Sequence, residues 1–241
     1  MLILFSDFGT GSPYAGQMEV VCAQAAPDVS RVVLTHDAPL ADPRAAGVLL
    51  AGLISTMPER AVFLCVVDPG VGMDRRPLIV QQGKRWFVGP DNGLLVEAAG
   101  ANAAWFQIDW RPQHLSATFH GRDLFAPVAA GLAQGRMPAV TPIDDPVGLA
   151  VEPCLDRVIF IDRFGNLISG IQASAVDAAT DVAVAGHTIA HGRCFGEAAP
   201  GSLFWYANSM GLVAVAGNGV SAAELLGVTL GATMQMTKGM D

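Results

Sequence analysis

The chain has 241 residues, 51% of them hydrophobic and 15% charged, a balance that suits a compact core and excludes a disordered chain. Its net charge of -8 leaves no basic footprint, so nucleic acid is not an expected partner. The length accommodates one large domain or a large and a small one, and no stretch approaches the ~18 apolar residues that span a membrane.

In chain order, residues 2–6 (LILFS) read as a short buried strand. Residues 13–27 read as a helix, with Pro13 suited to its first turn and Pro27 as a stop. A β-branched strand follows at 31–36, then a helix over 42–57 with Asp42 as its cap and Pro43 behind it. Residues 61–67 (AVFLCVV) are a continuous apolar strand, and 77–82 with 85–89 form a hairpin. Helices are expected over 92–100 and 122–135, the second complicated near its start by Pro127. Apolar strands separated by helices indicate a largely parallel sheet covered on both faces. Near residue 136 the character changes: "RMPAVTPIDDP" carries three prolines and two adjacent aspartates and reads as a linker. Beyond it, short β-rich segments at 157–162, 166–171, 181–186, 202–208 and 211–217 suggest a small antiparallel barrel or sandwich, with a helical turn or two at 221–227. The domains are therefore expected at 1–140 and 150–241.

Cys22, Cys65, Cys154 and Cys194 are far apart with no CxxC pair, and are expected as buried free thiols in a reducing compartment. The first residues lack a basic leader, so a soluble cytoplasmic protein is the expectation.

Four glycine-punctuated spots set polar groups at element ends. In "SDFGTGS" (6–12), Asp7 falls where an open α/β sheet exposes its carboxyl edge; it can bind a vicinal diol such as a ribose or cap the following helix. In "CVVDPGVGMDRR" (65–76), a carboxylate ends an apolar run, and Gly70 and Gly72 permit a sharp turn. Asp68 and Arg75 can then converge, at a ligand or as an ordinary ion pair. In "TFHGRDLFAP" (118–127), His120 stands before a glycine at an element boundary. The fourth is split between "IDRFGNLISG" and "NSMGLVAVAGNG", where Asn166, Ser209 and Asn218 can read base edges or amino-acid termini, or simply serve turns. His187 and His191 are four apart in a β-like context, so no metal site is expected, and there is no Gly-rich phosphate loop or GxSxG.

Together, "SDFGT", "THDAPLAD", "VVDPGVG", the arginines at 75 and 76, "GPDNGLL", "TFHGRDLFAP", "IDRFGN" and "NSMGLVAVA" span nearly the whole chain in order. In this it resembles the S-adenosyl-L-methionine (SAM) hydrolases, or SAM hydroxide adenosyltransferases, which are related to the fluorinase and chlorinase enzymes. The resemblance implies an N-terminal Rossmann-like, mostly parallel α/β domain and a smaller C-terminal antiparallel β-barrel. It implies a homotrimer with the site between subunits, and cleavage of SAM by water to adenosine and L-methionine, with no cofactor besides the substrate and no metal. The water-activating set matches Asp68, Arg75 and His120, with Asp68 or His120 as proton acceptor. The ribose carboxylate matches Asp7. Adenine contacts match Asn166 and the segment around Gly219, with Phe164 and Phe195 near the base, and methionine contacts match Asp162 and Ser209. The chain departs from the pattern at Ser12, where relatives often carry an acid, and at Met210, where the fluorinase branch has arginine. Gly121 replaces a halide-contacting serine, and the hairpin at 77–89 lacks the fluorinase's extra loop; both favour water over halide. A SAM-dependent halogenase and a non-catalytic adenosine or SAM binder are the alternatives.

Overall fold

The computed structural model describes residues 1–149 and 154–238, so the expected domain limits at 150 and 241 lie outside the described residues. The chain forms two compact units, Met1–Val151 and Glu152–Asp241.

The first unit is built on a seven-stranded sheet of order β2-β1-β3-β5-β4-β6-β7. Its strands are β1 (Leu2–Ser6), β2 (Arg31–Thr35), β3 (Val62–Val66), β4 (Pro77–Gln82), β5 (Arg85–Pro90), β6 (Ala104–Ile108) and β7 (Val140–Ile143). Pairings among β2, β1, β3 and β5 are parallel, whereas β4 pairs antiparallel with β5 and β6, and β6 with β7. The sheet is thus mixed rather than mostly parallel. The cause is local: Gly83, at φ +56°, lets β4 fold directly back as β5, which leaves no room for a crossover helix. The expected linker also contains a strand, since β7 lies within 136–146 and closes that edge of the sheet.

Alternation along the central strands divides the core into two layers. Ile3, Phe5, Phe63, Cys65 and Val67 face α2 (Pro43–Ile54) and α3 (Val96–Ala99). Leu2, Leu4, Val62, Leu64 and Val66 face α1 (Pro13–Ala25) and α4 (Ala126–Ala133). Each such buried aliphatic or aromatic side chain contributes about 1.5–3 kcal/mol. The caps are local: Ser12 Oγ accepts from Tyr14 N, and Asp42 Oδ1 from Ala45 N, each with a proline at the first turn. Two expected helices are shorter than their sequences suggest. Over 92–100 only α3 is helical. Over 122–135, a π-helical turn at Gly121–Phe125 precedes α4, with the Ala126 N–H bonded to Gly121 O. That wider turn lets Pro127, which has no N–H, sit in the first turn of α4.

The second unit holds a four-stranded antiparallel sheet, β12-β13-β9-β8, and a three-stranded one, β11-β10-β14. The strands are β8 (Leu155–Ile161), β9 (Leu167–Gln172), β10 (Thr180–Val184), β11 (His187–Ile189), β12 (Leu203–Ala207), β13 (Leu212–Gly217) and β14 (Met234–Lys238), with α5 at Ala222–Leu226. No closed sheet is found among the described residues, so of the barrel or sandwich read from the sequence the barrel is not confirmed. Register shifts in β8 and the three-residue β11 interrupt the ladder, so only isolated bridges, Arg157–Thr233 and His191–Trp205, join the sheets. They share one core around Trp205, Val158, Val213 and Met234.

All four cysteines are free, but only Cys22 and Cys65 are buried; Cys154 and Cys194 are exposed, contrary to expectation. No helix among the described residues is long and apolar enough to cross a membrane.

Candidate active site

The parallel strands β1, β2 and β3 end together, and each is followed by a titratable residue: Asp7, His36 and, one residue further on, Asp68. After β3 the backbone makes two successive turns, Val71 N to Asp68 O and Met73 N to Gly70 O. Gly72 holds φ +79° with its α-carbon so close to the Ala117 carbonyl that a Cβ would overlap that oxygen. This tight return brings Arg75 back onto Asp68. Its Nε donates to both carboxylate oxygens, at 3.0 and 3.1 Å, and Nη2 donates to Oδ2. The same Nη2 lies 2.8 Å from His120 Nδ1. The Arg75 and Asp68 side chains are only 10% and 5% exposed, and the guanidinium lies over the Phe125 ring. Asp68, Arg75 and His120 therefore form one continuous chain of polar groups.

This pairing assigns the histidine tautomer. A guanidinium only donates, so Nδ1 accepts and the proton of the neutral ring sits on Nε2. Burial, then the Arg75 charge, holds the His120 pKa below the ordinary histidine value.

Asp7 does not cap α1, since Ser12 does. Its Oδ2 accepts from Ala41 N at 2.9 Å, and Ala41 adopts φ +53°, a left-handed conformation unfavourable for alanine. Burial raises the Asp7 pKa; the Ala41 N–H opposes that rise, and Asp68's charge adds to it. Buried His36 braces the loop: Nδ1 lies 2.7 Å from Ser6 Oγ and Nε2 3.2 Å from Glu19 Oε1, while its carbonyl accepts from Gly9 N. Phe8, Tyr14 and Phe119 form an aromatic cluster with centroids 5.4 to 6.5 Å apart.

The second unit has its own concavity, of about 660 Å³, lined by Asp162, Phe164, Asn166, Phe195, Tyr206 and Gly219 among others. Asp162 follows β8 and folds the next turn on itself: Oδ1 accepts from Phe164 N and Asn166 N, both at 2.9 Å, and Oδ2 from Asn166 Nδ2 at 2.8 Å. Gly165, at φ +81°, completes the turn where a Cβ would overlap Ser221. The result is a buried Asn166 beside a Phe164 that is 80% exposed. Phe195 packs edge-on to Phe204 and Tyr206, centroids 5.1 and 5.7 Å away. Burial and the nearby Asp162 charge push the Tyr206 phenol pKa up.

Residues 2–141 match the SAM hydroxide adenosyltransferase N-terminal domain, and residues 156–235 the corresponding C-terminal domain. The chain belongs to the SAM hydroxide adenosyltransferase family. It is 40% identical to the (R)-S-adenosyl-L-methionine hydrolase of Salinispora arenicola, covering 97% of this chain and 96% of that protein. It is 37% identical to the protein of that name in Thermus thermophilus, covering 96% and 97%. Among solved structures, a conserved protein from Thermotoga maritima superposes with a TM-score of 0.84 at 28% identity, covering 98% of this chain and all of that one.

The structure brings Asp68, Arg75 and His120 together, and Asp162, Phe164, Asn166, Phe195 and Gly219 around one concavity. Two candidates stand apart from that lining. Ser209 is exposed in the β12–β13 turn, and Asn218 spends its amide on Ala198 O at 2.7 Å. Among the described residues, no group of three or more His, Cys, Asp or Glu side chains is placed to hold a metal ion. Sequence reasoning missed Tyr206 because "SLFWYAN" reads as strand core; its period-two relation to Phe204 was the available signal. It also missed His36, which "THD" offered without a partner in view.

Proposed function

We propose that this chain hydrolyses S-adenosyl-L-methionine to adenosine and L-methionine by attack of water on the ribose C5′. The observation that carries the reading is the Asp68–Arg75–His120 chain, buried at the carboxyl edge of the sheet in a family whose relatives bear the hydrolase name. The leaving group is a neutral thioether and needs no acid, so the chemical demand falls on water. Bringing the pKa of water from 15.7 to about 9 would take roughly 9 kcal/mol, more than one guanidinium supplies. Deprotonation therefore accompanies attack: the water oxygen bonds to C5′, the C–S electron pair goes to sulfur, and the proton leaves to a base. Asp68 is that base, because the sole acceptor nitrogen of His120 faces Arg75 while the carboxylate keeps free lone pairs. Arg75 and the His120 Nε2–H stabilise the developing negative charge on oxygen.

Asp7 holds the ribose diol. The adenine lies against Phe164 and Phe195 with Asn166 and the Gly219 segment at its edge, and Asp162 and Ser209 serve the methionine end. The exposed setting of Phe164, and of Leu40 and Met73 in loops at the carboxyl edge of the first sheet, supports a homotrimer in which the first unit of one subunit completes the site with the second unit of the next. Gly121 supports water over halide, since a Cβ there would come within 3.1 Å of the Phe8 ring. The short β4–β5 turn supports it too.

The test is turnover of each sulfonium epimer in ¹⁸O-labelled water with and without chloride or fluoride. Label in the adenosine 5′-hydroxyl, with preference for the (R) epimer named in the relatives, is expected. A 5′-halogenated product would establish the halogenase, and saturable adenosine binding without methionine release the non-catalytic binder. At low SAM concentration, mixing Arg75→Ala and Phe164→Ala proteins should give more turnover than the sum of the two alone if subunits share sites; additive turnover in a mixed oligomer would overturn that arrangement.

A further inference from the structure

The loop that carries Asp68 and Arg75 is held at both ends by two consecutive residues of "GPDNGLL", a motif with no role in the chemistry above. Before the loop, Asn92 Nδ2 donates to Val67 O at 2.9 Å, and Asn92 Oδ1 accepts from Leu94 N. After the loop, the Asp91 N–H donates to Arg76 O at 2.9 Å, and Arg76 Nε donates to Asp91 Oδ2 at 2.6 Å. Arg76 extends to Asp145, with Nη1 on its carboxylate and Nη2 on its carbonyl, both at 2.7 Å. The second Asp91 oxygen accepts from Val147 N at 2.8 Å. The Asp91 side chain is 2% exposed, so its charge has no water to fall back on.

Strand alternation explains why adjacent arginines serve different partners. Leu78 and Val80 of β4 face the α2 layer, and Ile79 the α1 layer. Continuing that parity, Arg76 belongs to the α2 side and Arg75 to the side of Phe125. A charge network on one face of the sheet thus anchors the backbone from which the guanidinium on the other face projects. We propose that Asp91 and Asn92, acting through Arg76 and Val67, are positioning residues that fix the separation of Asp68 and Arg75. The inference rests on the hydrolase reading for its kinetic consequence, but not for its structural one.

The test uses Arg76→Lys, which keeps a charge for Asp91 but loses the fork, and Asn92→Ala, which leaves the charges intact. In ¹⁵N spectra of the unliganded protein, the Arg75 Nε–H, assigned by its loss in Arg75→Lys, and the His120 ring signals should shift or broaden in both variants. With SAM, kcat should fall on the order of tenfold to a hundredfold while KM stays within about twofold. Should Arg76→Lys not fold, Asn92→Ala carries the test. Folded variants whose Arg75 and His120 signals match wild type overturn the proposal, whatever happens to kcat. Displaced signals in a protein whose wild type turns over neither epimer would leave the positioning role standing and remove the hydrolase reading instead.

Discussion

The two candidate binding regions are built in opposite ways. At the carboxyl edge of the first unit, Asp68, Arg75 and His120 are bonded to one another in a chain, and the Asp68 and Arg75 side chains are almost inaccessible. The concavity of the second unit is open, and its most prominent side chain, Phe164, is mostly in solvent. The first arrangement suits charge stabilisation, because fixed dipoles in a dry setting need no reorganisation when charge develops. The second suits recognition, because an exposed ring gains most when a flat base covers it. Substitutions in the Asp68–Arg75–His120 chain should therefore act on rate, and those in the concavity on affinity.

The sharpest break would come from Arg75→Ala, for which kcat is expected to fall roughly 10²–10³-fold while adenosine affinity by calorimetry changes less than about twofold. An equal loss of affinity would erase the division. Next comes Asp7→Ala, which should weaken adenosine binding roughly ten- to a hundredfold, the range for losing hydrogen bonds to a charged acceptor. Asp7 also accepts from Ala41 N, so Asp7→Asn, which preserves an acceptor there, is the control. If Asn and Ala lose affinity equally, the carboxylate charge is what holds the ligand. Unchanged affinity in both would take Asp7 out of the ribose site.

In the opposite region, Phe164→Ala should cost about tenfold in adenosine affinity, from the lost face of the base, with no shift in the urea midpoint. A side chain 80% exposed has little burial to lose. A lowered midpoint with intact affinity would make Phe164 a structural residue and remove the contrast.

Local chemistry was legible in the sequence; long-range pairing was not. The first-turn prolines with Ser12 or Asp42 before them, the apolar runs of β1 and β3, and the return of Arg75 across two glycines all follow from short-range rules. The β4–β5 hairpin could be read, but the antiparallel addition of β6 and β7 could not, because their partners lie 23 or more residues away and β7 sits within a proline-rich segment. The division of the second unit into two sheets was hidden for a related reason: the register shifts of β8 leave no mark in its alternation. Asp162 entered only through the resemblance, as a methionine contact, and the structure reveals that it organises the turn presenting Phe164 and Asn166. Tyr206 lay hidden inside a strand, where only tertiary packing distinguishes a pocket wall from core.

The smallest expected effect is the most diagnostic of how the first region works. His120 has a pKa below the ordinary 6.5, through burial and the Arg75 charge. The folded protein therefore binds this proton less readily than the unfolded chain. Its stabilising contribution is fully present above 6.5 and is lost as pH falls through the lower folded value. Protonation also removes the histidine acceptor facing Arg75 Nη2, leaving that group only Asp68, and sets two cations side by side. The kcat profile should accordingly show an acid limb that begins below 6.5, with a slope of at most about tenfold per pH unit. Adenosine affinity, carried by the aromatic region and by Asp7 rather than by His120, should not follow that limb. His120→Asn, which can accept from Arg75 but cannot titrate, should flatten the limb while lowering the plateau. A limb that persists in that variant belongs to another group, and Asp7, whose carboxyl pKa is raised by burial, is the one to substitute next.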